Sequence, residues 1–129
     1  QKGTEEYRST EWQGFQGKDV TAVIELNETK EVSRVTVSTL EDMHSWIFGP
    51  ASITIEVSND GVTFKNFGTK KYNIPTSDTG ITVKNNRIEH APIAAKFIRV
   101  TVRSIGNCPD WHLGAGNPTW LFLDEVQID

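Results

Sequence analysis

Four stretches of this chain alternate apolar and polar residues one by one, and nowhere does a helical spacing of about 3.6 residues persist beyond roughly one turn. Val20, Ala22, Ile24 and Leu26 alternate with Thr21, Val23 and Glu25, and Val35 and Val37 with Arg34, Thr36 and Ser38. Ile53, Ile55 and Val57 alternate with Thr54 and Glu56, and Ile98, Val100 and Val102 with Arg99, Thr101 and Arg103. Successive side chains of a strand point to opposite faces, so each stretch reads as a strand with one dry and one wet face, the antiparallel pattern. "SNDGVTF" at 58–64 places Asn-Asp-Gly between two such runs and predicts a tight hairpin. Further strands are predicted at 62–67, 80–89 and 121–128. The fold class is all-β: an antiparallel β-sandwich of about eight short strands, with a jelly roll favoured.

The 129 residues suit one domain spanning 1–129. A chain of this size buries roughly two thirds of its unfolded surface, enough for one core. The net charge is −4, and no run of Lys or Arg exceeds Lys70-Lys71. Nucleic-acid affinity rests on clustered cations, so such a partner is not expected. No apolar run approaches the roughly 18 residues of a membrane span, so no membrane is expected either. The single cysteine, Cys108, excludes an internal disulfide and leaves the redox compartment open.

Three stretches, 7–18, 40–51 and 104–120, read as long loops rich in aromatic and polar residues, and loops on a rigid β scaffold are where binding groups sit. In "EDMHSWIFGP" (41–50), His44 and Trp46 make a ligand platform, an imidazole beside an indole face, or else Trp46 plugs the open end of the sandwich. Phe48 and Ile47, flanking Gly49-Pro50, read as packing. "CPDWHLGAGNPTW" (108–120) adds Asp110, Trp111, His112 and Asn117. Asp, His and Asn supply directional hydrogen bonds for hydroxyl-rich ligands, and an indole offers apolar area to a sugar ring at low entropy cost. The other reading of this stretch is a packed loop whose tryptophans are its own small core. Trp120, leading straight into "LFLDEVQI", reads as core, and Trp12 and Phe15 as caps on the sandwich edge.

No catalytic constellation emerges. Cys108 and His112 lack a third, orienting group for a thiolate–imidazole pair. One Cys and one His, with His44 elsewhere, fall short of a four-ligand zinc pattern. A glycosidase needs two carboxylates flanking one bond. Asp110, Glu41 and Asp42 are candidates by position, but none stands out as the general acid. Asn27-Glu28-Thr29 matches a glycosylation sequon and is taken as chance.

The order of motifs resembles the F5/8 type C, or discoidin-like, superfamily, which includes the family 32 carbohydrate-binding modules. The resemblance rests on "WQGFQGKDV" with "IEL" at 12–26, "WIFGP" at 46–50, "IEVSNDGVTF" at 55–64, "FIRVTV" at 97–102 and "WLFLDEVQI" at 120–128. "SWIFGP" together with "GNCPDWHLGAG" (106–116) is similar to the non-catalytic C-terminal domain attached to bacterial chitobiases and β-N-acetylhexosaminidases of glycoside hydrolase family 20. The resemblance implies a galactose-binding-like jelly roll with no catalysis of its own. It implies a structural Ca2+ held in part by Thr10 and Glu125, although the "LxDG" segment that supplies further oxygens in the family is missing here. It implies a sugar site at one end of the sandwich, with His44 and Trp46 on the usual loop and Trp111 and His112 on a second. Neither loop carries the Arg of the galactose-binding pattern, so galactose specificity does not carry over.

The expected function is a carbohydrate-binding ancillary module of a secreted, periplasmic or cell-surface glycan-degrading enzyme, with an N-terminal catalytic domain on the same chain as its other partner. The competing expectation is a structural spacer whose aromatic loops pack on that catalytic domain and bind no ligand. Exposure of the tryptophans separates the two.

Overall fold

A computed structural model of the protein describes residues 5–8, 15–16, 19–43, 46–73, 81–121 and 123–129. Eight strands make up its regular structure: β1 (Glu5–Arg8), β2 (Phe15–Gln16), β3 (Val20–Asp42), β4 (Ser52–Ser58), β5 (Lys65–Lys71), β6 (Ile81–Arg103), β7 (Trp120–Leu121) and β8 (Leu123–Ile128). Every strand pairing is antiparallel. Six strands run in the order β1-β8-β3-β6-β4-β5, and β2 pairs with β7.

The frame is the ribbon of β3 and β6, which pair along their length from Val20↔Val102 to Asp42↔Ile81. β4, with β5 outside it, pairs with the C-terminal part of β6; β8, with β1 outside it, pairs with the C-terminal part of β3. The ribbon therefore belongs to both layers of the sandwich, and it turns from one to the other where its register slips. Residues 26–29 of β3 stand opposite Lys96 alone, and residues 90–92 of β6 stand opposite Ser33 alone. Extra residues on one strand bend it and raise its twist, which is how strands change sheets at a corner. Pro92, with no N–H to donate, falls in one of these slips.

The slips also reset the side-chain alternation, so the inward residues of β3 are Val20, Ile24 and Leu26 before the corner but Val35 and Val37 after it. One buried cluster joins them to Ile53, Ile55 and Val57 of β4, Ile98, Val100 and Val102 of β6, and Val126 and Ile128 of β8. That is the core between the layers. The sequence reading of separate strands at 20–26 and 34–38, and at 80–89 and 97–103, is corrected here: each pair is one continuous bent strand.

The corner closes one end of the sandwich. There too lies the β4–β5 connection, a six-residue loop (59–64) rather than the tight turn expected. The Asp60 side chain organises it: Oδ1 accepts from the Ser58 hydroxyl (2.8 Å) and from the N–H groups of Val62 (2.8 Å) and Thr63 (2.9 Å). The opposite end, where β3 and β6 finish and β4 begins, is left to the loops 43–51 and 104–119.

Candidate functional site

The stretch 104–119 has no regular structure, yet nearly every turn of it is tied down. It doubles back on itself: the Thr119 N–H donates to Gly106 O (2.9 Å), Cys108 to Asn117 O (2.7 Å) and Gly116 to Cys108 O (3.2 Å). Its tip is a run of turns, with His112 N–H donating to Pro109 O, Ala115 to His112 O and Asn117 to Gly114 O. The reversal needs a left-handed residue, and Gly116 supplies it at φ +84° with open space around the place a Cβ would take. Gly114 is required for another reason: a Cβ there would stand 2.8 Å from a carbon of the Trp46 indole.

Loop 43–51 is fastened to it. Phe48 N–H donates to Trp120 O (3.0 Å) and Trp120 N–H to Trp46 O (2.8 Å). Trp46 itself sits at φ +66°, a region costly for a bulky side chain. Beneath the two loops Met43, Phe48 and Cys108 form a second buried cluster, packed against Trp46 and Ile105, which stoppers the open end. Phe48 is 1% exposed, so its reading as packing holds. Burial pushes the Cys108 thiol above its ordinary range.

His112 joins the loops. Its Nδ1 accepts from the Gly114 N–H (2.9 Å), which leaves Nε2 protonated and donating in a short bond to Met43 O. Met43 O also accepts from Trp46 N–H (3.0 Å). Around the ring Trp46, Phe48 and Trp111 stand at centroid distances of 6.2, 5.2 and 5.7 Å in edge-to-face contact. Both nitrogens are committed and the residue is buried. The expectation that His112 offers hydrogen bonds to a ligand is therefore corrected: it positions the loops.

The other expected site residues divide. Trp111, 38% exposed, keeps much of its indole at the surface while one side leans on Phe48 and His112. Trp46 is half-buried, one face against Gly114. Asp110 is exposed on the turn just before Trp111. Asn117 is exposed but turns its amide nitrogen back to Gly114 O (3.1 Å). His44 lies outside the described residues, as do Thr10 and the Glu125 side chain, named for calcium, and Trp12 and the Phe15 side chain, named as caps. Glu125 itself is placed opposite Arg8 and Ser38 in register. Among the described residues no cluster of three metal-ligating side chains occurs.

Two residues were missed. Trp120, read as core, is 37% exposed, because Leu121 takes the inward position next to it. The alternation of the terminal strand carried that signal. Leu113, 95% exposed at the loop tip, had none. A register row Asp42–Ile47–Trp120 sets a carboxylate and an indole on either side of Ile47. Cations near this end are matched with acids: Lys84 Nζ lies 3.3 Å from the buried Glu41, and Arg103 Nη1 lies 3.2 Å from Asp19.

Fold and loops together describe a β-sandwich whose open end is dressed with braced, aromatic loops. The F5/8 type C domain model matches residues 3–121, and the chain belongs to that family. The fold is shared with the family 32 carbohydrate-binding module of Streptococcus pneumoniae EndoD, at TM-score 0.57 and 12% identity over 90% of this chain and 73% of that one. It is also shared with CpGH89CBM32-5 from Clostridium perfringens, solved in complex with GalNAc-beta-1,3-galactose (TM-score 0.55, 15% identity, 84% of this chain and 63% of that one). A third similar structure is the C-terminal domain of a chitobiase from Bacteroides fragilis (TM-score 0.52, 12% identity, 86% and 62%). At such identities the likeness concerns the fold. The chain spans less than two thirds of the last two structures. A search of curated proteins by sequence gives no significant match.

Proposed function

We propose that this chain is a non-catalytic carbohydrate-binding module of a glycan-degrading enzyme, carried outside the cytoplasm of a bacterium and directed to amino-sugar or galactose-type glycans. The observation that carries the reading is the pair Trp111 and Trp120, each more than a third exposed at the open end on loops braced by backbone hydrogen bonds. Indoles held rigidly at a surface meet the C–H face of a pyranose without losing further side-chain entropy. Asp110 beside Trp111 and Asp42 two register positions from Trp120 add acceptors for hydroxyls. The sugar complex of the Clostridium perfringens module and the carbohydrate-binding name of the Streptococcus pneumoniae one support it. Glu41, one of the carboxylates weighed for acid catalysis, is buried under Gly49 and paired with Lys84, which speaks for a binding role over a hydrolytic one.

A flat, wet sugar contact leaves little surplus over ordering costs, so single-site affinity falls at about 0.1–1 mM. Tethering would make such weak binding useful by raising effective concentration near the catalytic domain. Calorimetry with N-acetylglucosamine, N-acetylgalactosamine and galactose tests this. Trp111→Ala and Trp120→Ala should each abolish the heat of binding while the unfolding transition stays cooperative. Silence of the parent protein across the panel would leave the spacer reading, to which the exposed Ile81 and Val83 on the β6 edge give a docking face.

A further inference from the structure

Resting on that reading, the charge at the open end narrows the ligand. We infer that the preferred glycan carries free, protonated amines, as in oligomers of glucosamine, rather than being neutral or acidic. Neither loop, 43–51 nor 104–119, contains a Lys or Arg, whereas Asp110 is exposed on the second and Asp42 ends the strand that leads into the first. His112 adds no charge, because its Nδ1 accepts a hydrogen bond and its ring is neutral. Cations at the base of the loops are spent: Lys84 on Glu41 and Arg103 on Asp19. Among the described residues the remaining cations at this end, Lys70 and Lys71, belong to edge strand β5, two strands beyond β6.

The field over the indoles is thus negative. It repels carboxylated or sulfated sugars, is indifferent to neutral ones and attracts an ammonium group. The aromatic surface acts in the same direction, since an indole face attracts a cation through its quadrupole. Asp110 next to Trp111, and Asp42 one residue away from Trp120 across Ile47, set a carboxylate beside each exposed indole, so successive amines of an oligomer meet both devices. An exposed ion pair and an exposed cation–π contact each contribute a few-fold in affinity.

The test is calorimetric titration of the protein with a glucosamine hexamer, its fully N-acetylated counterpart and a galacturonate hexamer. It is run in mild acid, where the amines are protonated, and in mild alkali, where they are not. The inference expects the glucosamine hexamer to bind about tenfold more tightly than the acetylated one in acid. That advantage should vanish in alkali and shrink with added salt. Asp110→Asn should cost about threefold for the amine ligand only, while Glu28→Gln, an exposed acid on β3 near the corner, changes nothing. Equal affinity for the amine and acetylated hexamers, or preference for galacturonate, overturns the charge inference and leaves the sugar-binding reading standing. An equal loss from Asp110→Asn and Glu28→Gln overturns it too, because net charge would then explain the preference. No binding of any hexamer removes the sugar-binding reading itself.

Discussion

Replacing His112 by Phe removes two hydrogen bonds while keeping a flat ring among Trp46, Phe48 and Trp111. The edge-to-face packing at 5.2–6.2 Å survives, so the loss isolates the polar contribution. Gly114 is buried, and its N–H loses its acceptor. A buried donor left without a partner costs about 1–3 kcal/mol, and the lost bond to Met43 O adds about 0.5–1.5 kcal/mol. Met43 O keeps the Trp46 N–H, which limits that second figure. The expected destabilisation is therefore about 2–4 kcal/mol, a large share of the stability of a small domain. Urea unfolding followed by tryptophan fluorescence measures it, because Trp46 and Trp111 report from the affected contacts. The midpoint should fall by roughly 1–2 M with an unchanged slope. His112→Asn places an oxygen near the position of Nδ1, can accept from Gly114 again, and should recover about half of the loss. A Phe variant within about 0.5 kcal/mol of the parent would refute the assignment of His112 as the joint between the loops. An Asn variant no better than the Phe one would refute the share given to Gly114.

Asp60 is held at about 2, against an ordinary 3.8, chiefly by the N–H of Thr63, then by the N–H of Val62 and the hydroxyl of Ser58. Its folded value lies below its unfolded one, so its contribution is complete above pH 3.8 and fades as the pH falls towards 2. Urea midpoints measured across that window should drop for the parent and drop less for Asp60→Asn. Cys108 is buried, and burial raises its thiol pKa, so a thiol reagent such as Ellman's should react slowly with the folded protein and at the rate of a free thiol in urea. Rapid reaction without denaturant would show that the cluster of Met43, Phe48 and Cys108 does not stay closed.

How much of this was legible depends on distance along the chain. Alternation is a local signal, and it identified β4 and both arms of β3 and β6 with their inward residues. It could not show that the arms are continuous. The slips at 26–29 and 90–92 shift the phase of the alternation, which in sequence looks like a loop between two strands. The same rule, applied to Leu121, would have turned Trp120 outwards; the apolar run after it drew it into the core instead. His112 was legible as a polar aromatic in a loop but not as a joint. Its acceptor, Met43 O, lies 69 residues away and is a backbone atom of no particular residue type. The charge of the loops, by contrast, was open to reading throughout. What needed the fold was the pairing of Lys84 and Arg103 with their own acids.

The β3–β6 ribbon has a consequence for how the chain reaches its native state. β4 and β5 are the only consecutive strands that pair; β3 waits for β6 and β8, and β1 waits for β8. Loop closure over such separations is slow, so assembly belongs at the sluggish end of small-domain kinetics. A nascent chain emerging from the ribosome holds at most one hairpin until β6 arrives, and its first strand stays unmatched until the last residues are made. The polypeptide thus remains pliable for the whole of its synthesis, and its C-terminal strand sets the moment at which the architecture locks.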